Sequence, residues 1–174
     1  MRTYLKTTFF LLIAVLFSFI FHEFGHWIIG EILGNKMAMS LNGTHPISGN
    51  YAHAWNRIFV LIGGPLFTLI QALVFLFLIK KFRNNLLYPF LFFPFIMRFV
   101  SSLFSIIQPQ DEAIIGTLLN IGKWTLPIII TLILFYLCWT GSKVLKISWK
   151  LNLINFVFSL IFMVFVITID KAIF

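Results

Sequence analysis

TFFLLIAVLFSFIFHEFGHWII, residues 8–29, is an apolar run of membrane-spanning length that ends in two histidines and a glutamate. About 20 consecutive apolar residues are needed to cross the hydrocarbon core of a bilayer as a helix. An ionisable side chain in such a span is disfavoured by roughly 2.5–3.5 kcal/mol on insertion scales, so it is rare and marks a functional position by default. The fold and the function both turn on this stretch.

The rest of the 174-residue chain is of the same kind. Apolar residues make up 60% and charged residues only 10%, where a soluble domain carries about 25% charged. Four more runs of spanning length follow: Ile58–Ile79, Leu86–Ile107, Thr125–Gly141 and Leu151–Ile169. The expected fold is therefore an all-α, polytopic integral membrane protein with about five transmembrane helices. It forms one membrane-embedded domain over residues 1–174, with no room for a second, soluble one. The lipid bilayer is its first partner.

The formal charge of +8 does not indicate a nucleic-acid partner. The basic residues fall in short clusters between apolar runs, which is a topology signal; a nucleic-acid binder needs a basic face set in polar surface. Arg2 and Lys6 precede the first span, Lys80, Lys81 and Arg83 follow the second, and Lys143, Lys146 and Lys150 follow the fourth. This excess predicts a cytoplasmic N-terminus, an outer C-terminus, and the ends of spans one and three on one side. The N-terminal segment has the basic start and apolar core of a signal peptide but no small-residue cleavage site after it. It reads as a retained first span. The single cysteine, Cys138, lies in an apolar run and makes no intrachain disulfide.

Two connections are longer. Residues 31–57 are rich in Gly and Asn and predict a short hairpin or re-entrant segment, which protein or a water-filled cavity must cover. Residues 108–124 open with a Pro-containing turn and continue as a short amphipathic helix.

His22 and His26 are four apart, so a helix places them on one face, one turn apart. Two imidazoles so placed can share one Zn²⁺, and Glu23 beside them can take a proton from water: the H-E-x-x-H pattern of zinc hydrolases. The ion would lower the pKa of a water toward about 7 and polarise a substrate carbonyl. A catalytic zinc site takes three protein ligands and one open position. The third ligand is open among Glu31, His45, His53, Asp111 and Glu112. Glu31 is five residues beyond His26 and rotated off the histidine face, where it serves better to cap the span. His45 and His53 lie in the first long connection, and Asp111 follows Pro109 on the side where span one ends.

The chain resembles a small member of the site-2 protease family of intramembrane zinc metalloproteases. The resemblance rests on His22-Glu23-Phe24-Gly25-His26 in an apolar span, Gly63-Gly64-Pro65 at the next span, and Gln108-Pro109-Gln110-Asp111 after the third. It covers roughly residues 10–125. It implies a metalloprotease-like core over about residues 8–125, with additional spans over 125–169. It also implies Zn²⁺ held by His22, His26 and Asp111, Glu23 as general base, membrane-anchored protein substrates, and a place in the cell membrane as a multi-pass protein of regulated intramembrane proteolysis. Two positions depart from the family pattern. Glu112 stands where Gly commonly follows the aspartate, which leaves the two carboxylates as alternatives. Thr68 stands where an Asn is associated with substrate handling.

Other features are weighed on their own. Gly63-Gly64-Pro65 suits a helix start, with Pro in the first turn, and also close packing against the metal helix. Arg98 lies mid-span and is expected to face the interior, paired with Asp111, Glu112 or Glu31, or to snorkel; Gln71 is a weaker case of the same kind. A non-proteolytic metal-binding scaffold, assembly factor or transport component is the rival function, with a catalytically decayed relative as a third. A fourth protein ligand, such as His45 or His53, would favour the scaffold.

Overall fold

The computed structural model describes the backbone of residues 2–173 and the side chains of residues 6–173. Among the described residues the fold is all-α apart from one small hairpin. Its elements run α1 (Arg2–Ile32), β1 (Met37–Met39), β2 (Thr44–Pro46), α2 (Ala54–Phe82), α3 (Tyr88–Phe104), α4 (Asp111–Leu118), α5 (Thr125–Leu145) and α6 (Trp149–Ile173). A 3-10 turn over Asn85–Leu87 leads into α3. Among the described residues five helical segments are long and apolar enough to cross a membrane: Lys6–Ile32, Ala54–Phe82, Asn85–Phe104, Thr125–Leu145 and Trp149–Ile173. The five expected spans are all present: four are extended by a few flanking residues, while the third runs Asn85–Phe104 and stops three residues short of the expected Ile107, because the helix ends at Ser105.

Both long connections fold as expected in kind. Within residues 31–57, β1 and β2 pair antiparallel, with Ala38 opposite His45. Residues 108–124 contain the short helix α4.

The position of Pro65 differs from the expectation that the Gly-Gly-Pro run opens a helix. α2 begins eleven residues earlier, at Ala54, and Pro65 lies inside it. Of the preceding residues 54–62 all but Asn56 are good helix formers or apolar, so the span extends toward the hairpin.

Two apolar clusters hold the bundle. One joins α2, α3 and α5 through Ala72, Leu76, Ile79, Leu91, Ile96 and Leu137. The other joins α1, α3 and α6 through Leu11, Val15, Phe93, Met97, Met163 and Val166. α3 contributes to both, so it is the central post of the bundle. Large apolar residues such as Phe77, Leu132 and Val164 point outward, as they must where the surrounding solvent is lipid. α5 and α6 are not a separate layer. α6 packs on α1 and α3, and its last turn is tied to the hairpin: the Leu41 N–H donates to Asp170 Oδ1 at 2.8 Å.

Polar side chains tie the helices at mid-depth. Gln71 of α2 donates through Nε2 to Ser18 Oγ at 2.7 Å and to the Phe90 carbonyl at 2.9 Å. α1 and α2 cross backbone to backbone where Gly25 meets Gly63: a Cβ on Gly63 would collide with the Gly25 carbonyl. Small residues at a crossing allow this approach in a membrane, where packing and interhelical contacts replace the hydrophobic drive.

Candidate metal centre

His22 and His26 are buried on the α1 face that meets α2. Room for the two rings comes from Gly64, the residue next to the Gly25–Gly63 crossing. A Cβ there would collide with His26 Nε2 and with His22 Cε1. The run Gly63-Gly64 thus serves two purposes: the first glycine brings the helices together, and the second leaves space for imidazoles.

Both rings are oriented through Nδ1. His26 Nδ1 lies 2.6 Å from the Val60 carbonyl of α2. A carbonyl only accepts, so His26 Nδ1 carries the proton. His22 Nδ1 lies 2.9 Å from Thr68 Oγ1, and the Thr68 hydroxyl donates its own hydrogen to the Gly64 carbonyl at 3.0 Å. Thr68 therefore accepts from His22, and His22 Nδ1 carries a proton as well. In the neutral rings each Nε2 is then a bare lone pair.

The two lone pairs converge. His26 Nε2 and His22 Nε2 are 3.2 Å apart. Asp111 Oδ2, from the first turn of α4, lies 3.2 Å from His22 Nε2 and 3.6 Å from His26 Nε2. Ligands about 2.0–2.1 Å from a tetrahedral ion stand about 3.3 Å from one another. The triangle of donors has that size. The residues present fit a single metal ion, and His22, His26 and Asp111 are the group of donors that could hold one.

Asp111 is delivered by the chain after α3. Ser105 Oγ donates to the Ser101 carbonyl at 3.0 Å, and the Gln110 N–H donates to Ser105 Oγ at 3.1 Å. This clasp folds residues 105–110 back over the end of α3 and starts α4 at Asp111. The N-terminal turn of a helix favours a carboxylate through its dipole. Burial alone would push the Asp111 carboxyl upward, but the positive charge of Arg98, with Nη1 3.1 Å from Oδ2, acts against it. The group is held well below the ordinary carboxylate range, in the ionised form a metal ligand requires.

Glu23 is buried beside the triangle and lines the same cavity without belonging to the donor group. Thr44 of β2 holds it: the hydroxyl lies 2.8 Å from Glu23 Oε2 and 3.2 Å from the Glu23 carbonyl. The cavity has a volume of about 540 Å³. Its walls come from α1, the hairpin, α3 and the last turns of α6, with Thr44, Ser101, Phe104, Met163 and Ile167 among them.

The other candidate ligands lie elsewhere. Glu112 is buried but faces Arg98, with its Oε1 3.4 Å from Arg98 Nε. Burial pushes its carboxyl above the ordinary value, with Arg98 acting against the rise. Glu31 accepts from the Met37 N–H at 2.7 Å and ties the end of α1 to β1. It closes the span end, though by holding the hairpin rather than by capping α1. His45 and His53 are exposed, in β2 and just before α2. Neither joins the donor group. Arg98 faces the interior and pairs with Asp111, Nη1 to Oδ2, at 3.1 Å.

Sequence reasoning missed three residues of the site. Thr44 and the Val60 carbonyl carry no signal in the chain. Thr68 stood out only as a departure from a family pattern, although a lone Thr one turn after Gly64 was open to reading as a histidine partner. Comparison with protein-family models, with curated proteins and with solved structures finds no match to this chain.

Proposed function

We propose that the protein is an intramembrane zinc metalloprotease of the site-2 type, hydrolysing peptide bonds of membrane-anchored proteins in or near the bilayer. The observation that carries this reading is the three-donor triangle with a buried glutamate beside it. Structural zinc sites are closed by four protein ligands, whereas catalytic ones keep three and an open position. Among the described residues only His22, His26 and Asp111 converge, and Glu23 is left free of the donor set.

In this reading His22 and His26 bind through Nε2 and Asp111 through Oδ2. Zn²⁺ held there supplies Lewis-acid polarisation of the scissile carbonyl and a more acidic water. Glu23 takes the proton from the attacking water on its carboxylate and returns it to the leaving amine nitrogen. Thr44 donates to Oε2 and keeps the carboxylate turned into the cavity. Thr68 and the Val60 carbonyl fix the ring planes. The apolar walls from Phe104, Met163 and Ile167 suit a substrate segment arriving from lipid. That segment must be locally unwound, because a helical peptide bond is shielded from attack. The cell membrane is the proposed location.

Co-reconstitution in liposomes with single-span proteins, read by mass spectrometry of fragments, tests the proposal. Fragments that appear with the wild type, and disappear with Glu23→Gln and with a zinc chelator, are expected. The same fragment pattern in all three samples would overturn it.

A further inference from the structure

Arg98 has no role in the chemistry above, yet it touches the donor atoms themselves. It is 4% exposed, in the middle of the membrane-spanning helix α3, where an unpaired guanidinium is strongly disfavoured. Nη1 lies 3.1 Å from Asp111 Oδ2 and 3.2 Å from His22 Nε2. Nη2 donates to Ser101 Oγ at 2.6 Å. Nε is at ion-pair distance from Glu112 Oε1, 3.4 Å, but makes no hydrogen bond.

Both imidazoles carry their protons on Nδ1, so the inner triangle consists of acceptors. Among the described residues the Arg98 guanidinium is the N–H donor that reaches it. Its Nη1 is aimed at two of the three lone pairs that a metal ion would use.

We propose that Arg98 is a built-in competitor for the metal position, so that metal binding is an exchange of cations on one donor set. This rests on the metal-binding part of the reading above and not on proteolysis. A divalent ion and the guanidinium N–H require the same electron pairs of Asp111 Oδ2 and His22 Nε2, and two cations at such separation repel strongly in a medium of low dielectric. When the ion binds, Arg98 gives up those two contacts. Glu112 is placed to receive it, because Nε already faces Oε1 without a hydrogen bond. Glu112 keeps the arginine nearby, with Oε1 3.4 Å from Nε. The competition lowers metal affinity and makes loading depend on the position of α3.

The test is zinc affinity of the full-length protein in detergent micelles, measured by competition with a chromophoric chelator. Wild type, Arg98→Met and Arg98→Lys are compared. Arg98→Met is expected to bind zinc about tenfold more tightly or better. Arg98→Lys, a single-point donor without the planar fork, is expected to fall between the two. Equal or weaker affinity in both variants would overturn the proposal, by making Arg98 a support for the site. Should Arg98→Met fail to give a monodisperse protein, Arg98→Lys decides. Absence of zinc binding in wild type and variants alike is a different result, which removes the metal reading itself.

Discussion

Thr68 Oγ1 stands 2.9 Å from His22 Nδ1, with its hydrogen committed to the Gly64 carbonyl. That one hydroxyl fixes which nitrogen of His22 faces the cavity. Thr68→Val keeps the volume and removes the acceptor. Loss of such a second partner typically weakens metal binding about 10–100-fold. Zinc affinity of Thr68→Val is expected to fall in that range, and Thr68→Ser is expected to restore most of it.

Gly64 and Gly25 separate site from scaffold. A Cβ on Gly64 meets the imidazoles, so Gly64→Ala is expected to abolish zinc binding while the helix content and size-exclusion profile hold. A larger residue at Gly25 meets the Gly63 backbone and Phe67. Gly25→Leu is expected to force α1 from α2 and lower the thermal midpoint of the whole bundle, measured by near-ultraviolet dichroism.

Glu23 belongs to catalysis and not to metal binding in this account. Glu23→Gln is expected to keep zinc and lose about 10²–10⁴ in hydrolysis rate, the usual weight of a general base. Thr44→Val, which removes the hydroxyl at 2.8 Å from Oε2, is expected to lower the rate less and leave the zinc content unchanged.

Asp170 links the last turn of α6 to the hairpin through the Leu41 N–H at 2.8 Å. Asp170→Ala leaves that donor unpaired. Hydrogen exchange across residues 37–46 is expected to quicken, with zinc content unaffected. Unchanged exchange would show that the hairpin holds its place through Glu31 and Thr44 alone.

Much of this architecture is legible in the chain because lipid imposes a simple rule on it. Apolar runs of spanning length with lysines between them have few alternative readings, and the helices follow them closely. His22 and His26 were legible for the same reason, since ionisable residues stand out against an apolar background. The hairpin was legible only in kind, because Gly and Asn mark a turn without fixing its register.

What remained hidden depends on approach between distant segments. Nothing local to Asp111 and Glu112 says which carboxylate turns inward. The choice is made by the Ser101–Ser105–Gln110 clasp, which sets where α4 begins. Pro65 reads as a helix start, yet it lies within α2 because the residues before it extend the helix. Arg98 was visible as costly but not as a neighbour of His22, which is 76 positions away.

Zinc content of the purified protein, compared for wild type, Glu23→Gln, Asp111→Ala and Glu112→Gln, tests the central claim most directly. The account predicts about one zinc per chain in wild type, Glu23→Gln and Glu112→Gln, and loss of zinc in Asp111→Ala alone. Zinc retained in Asp111→Ala but lost in Glu112→Gln, or absent from the folded wild type, would contradict it.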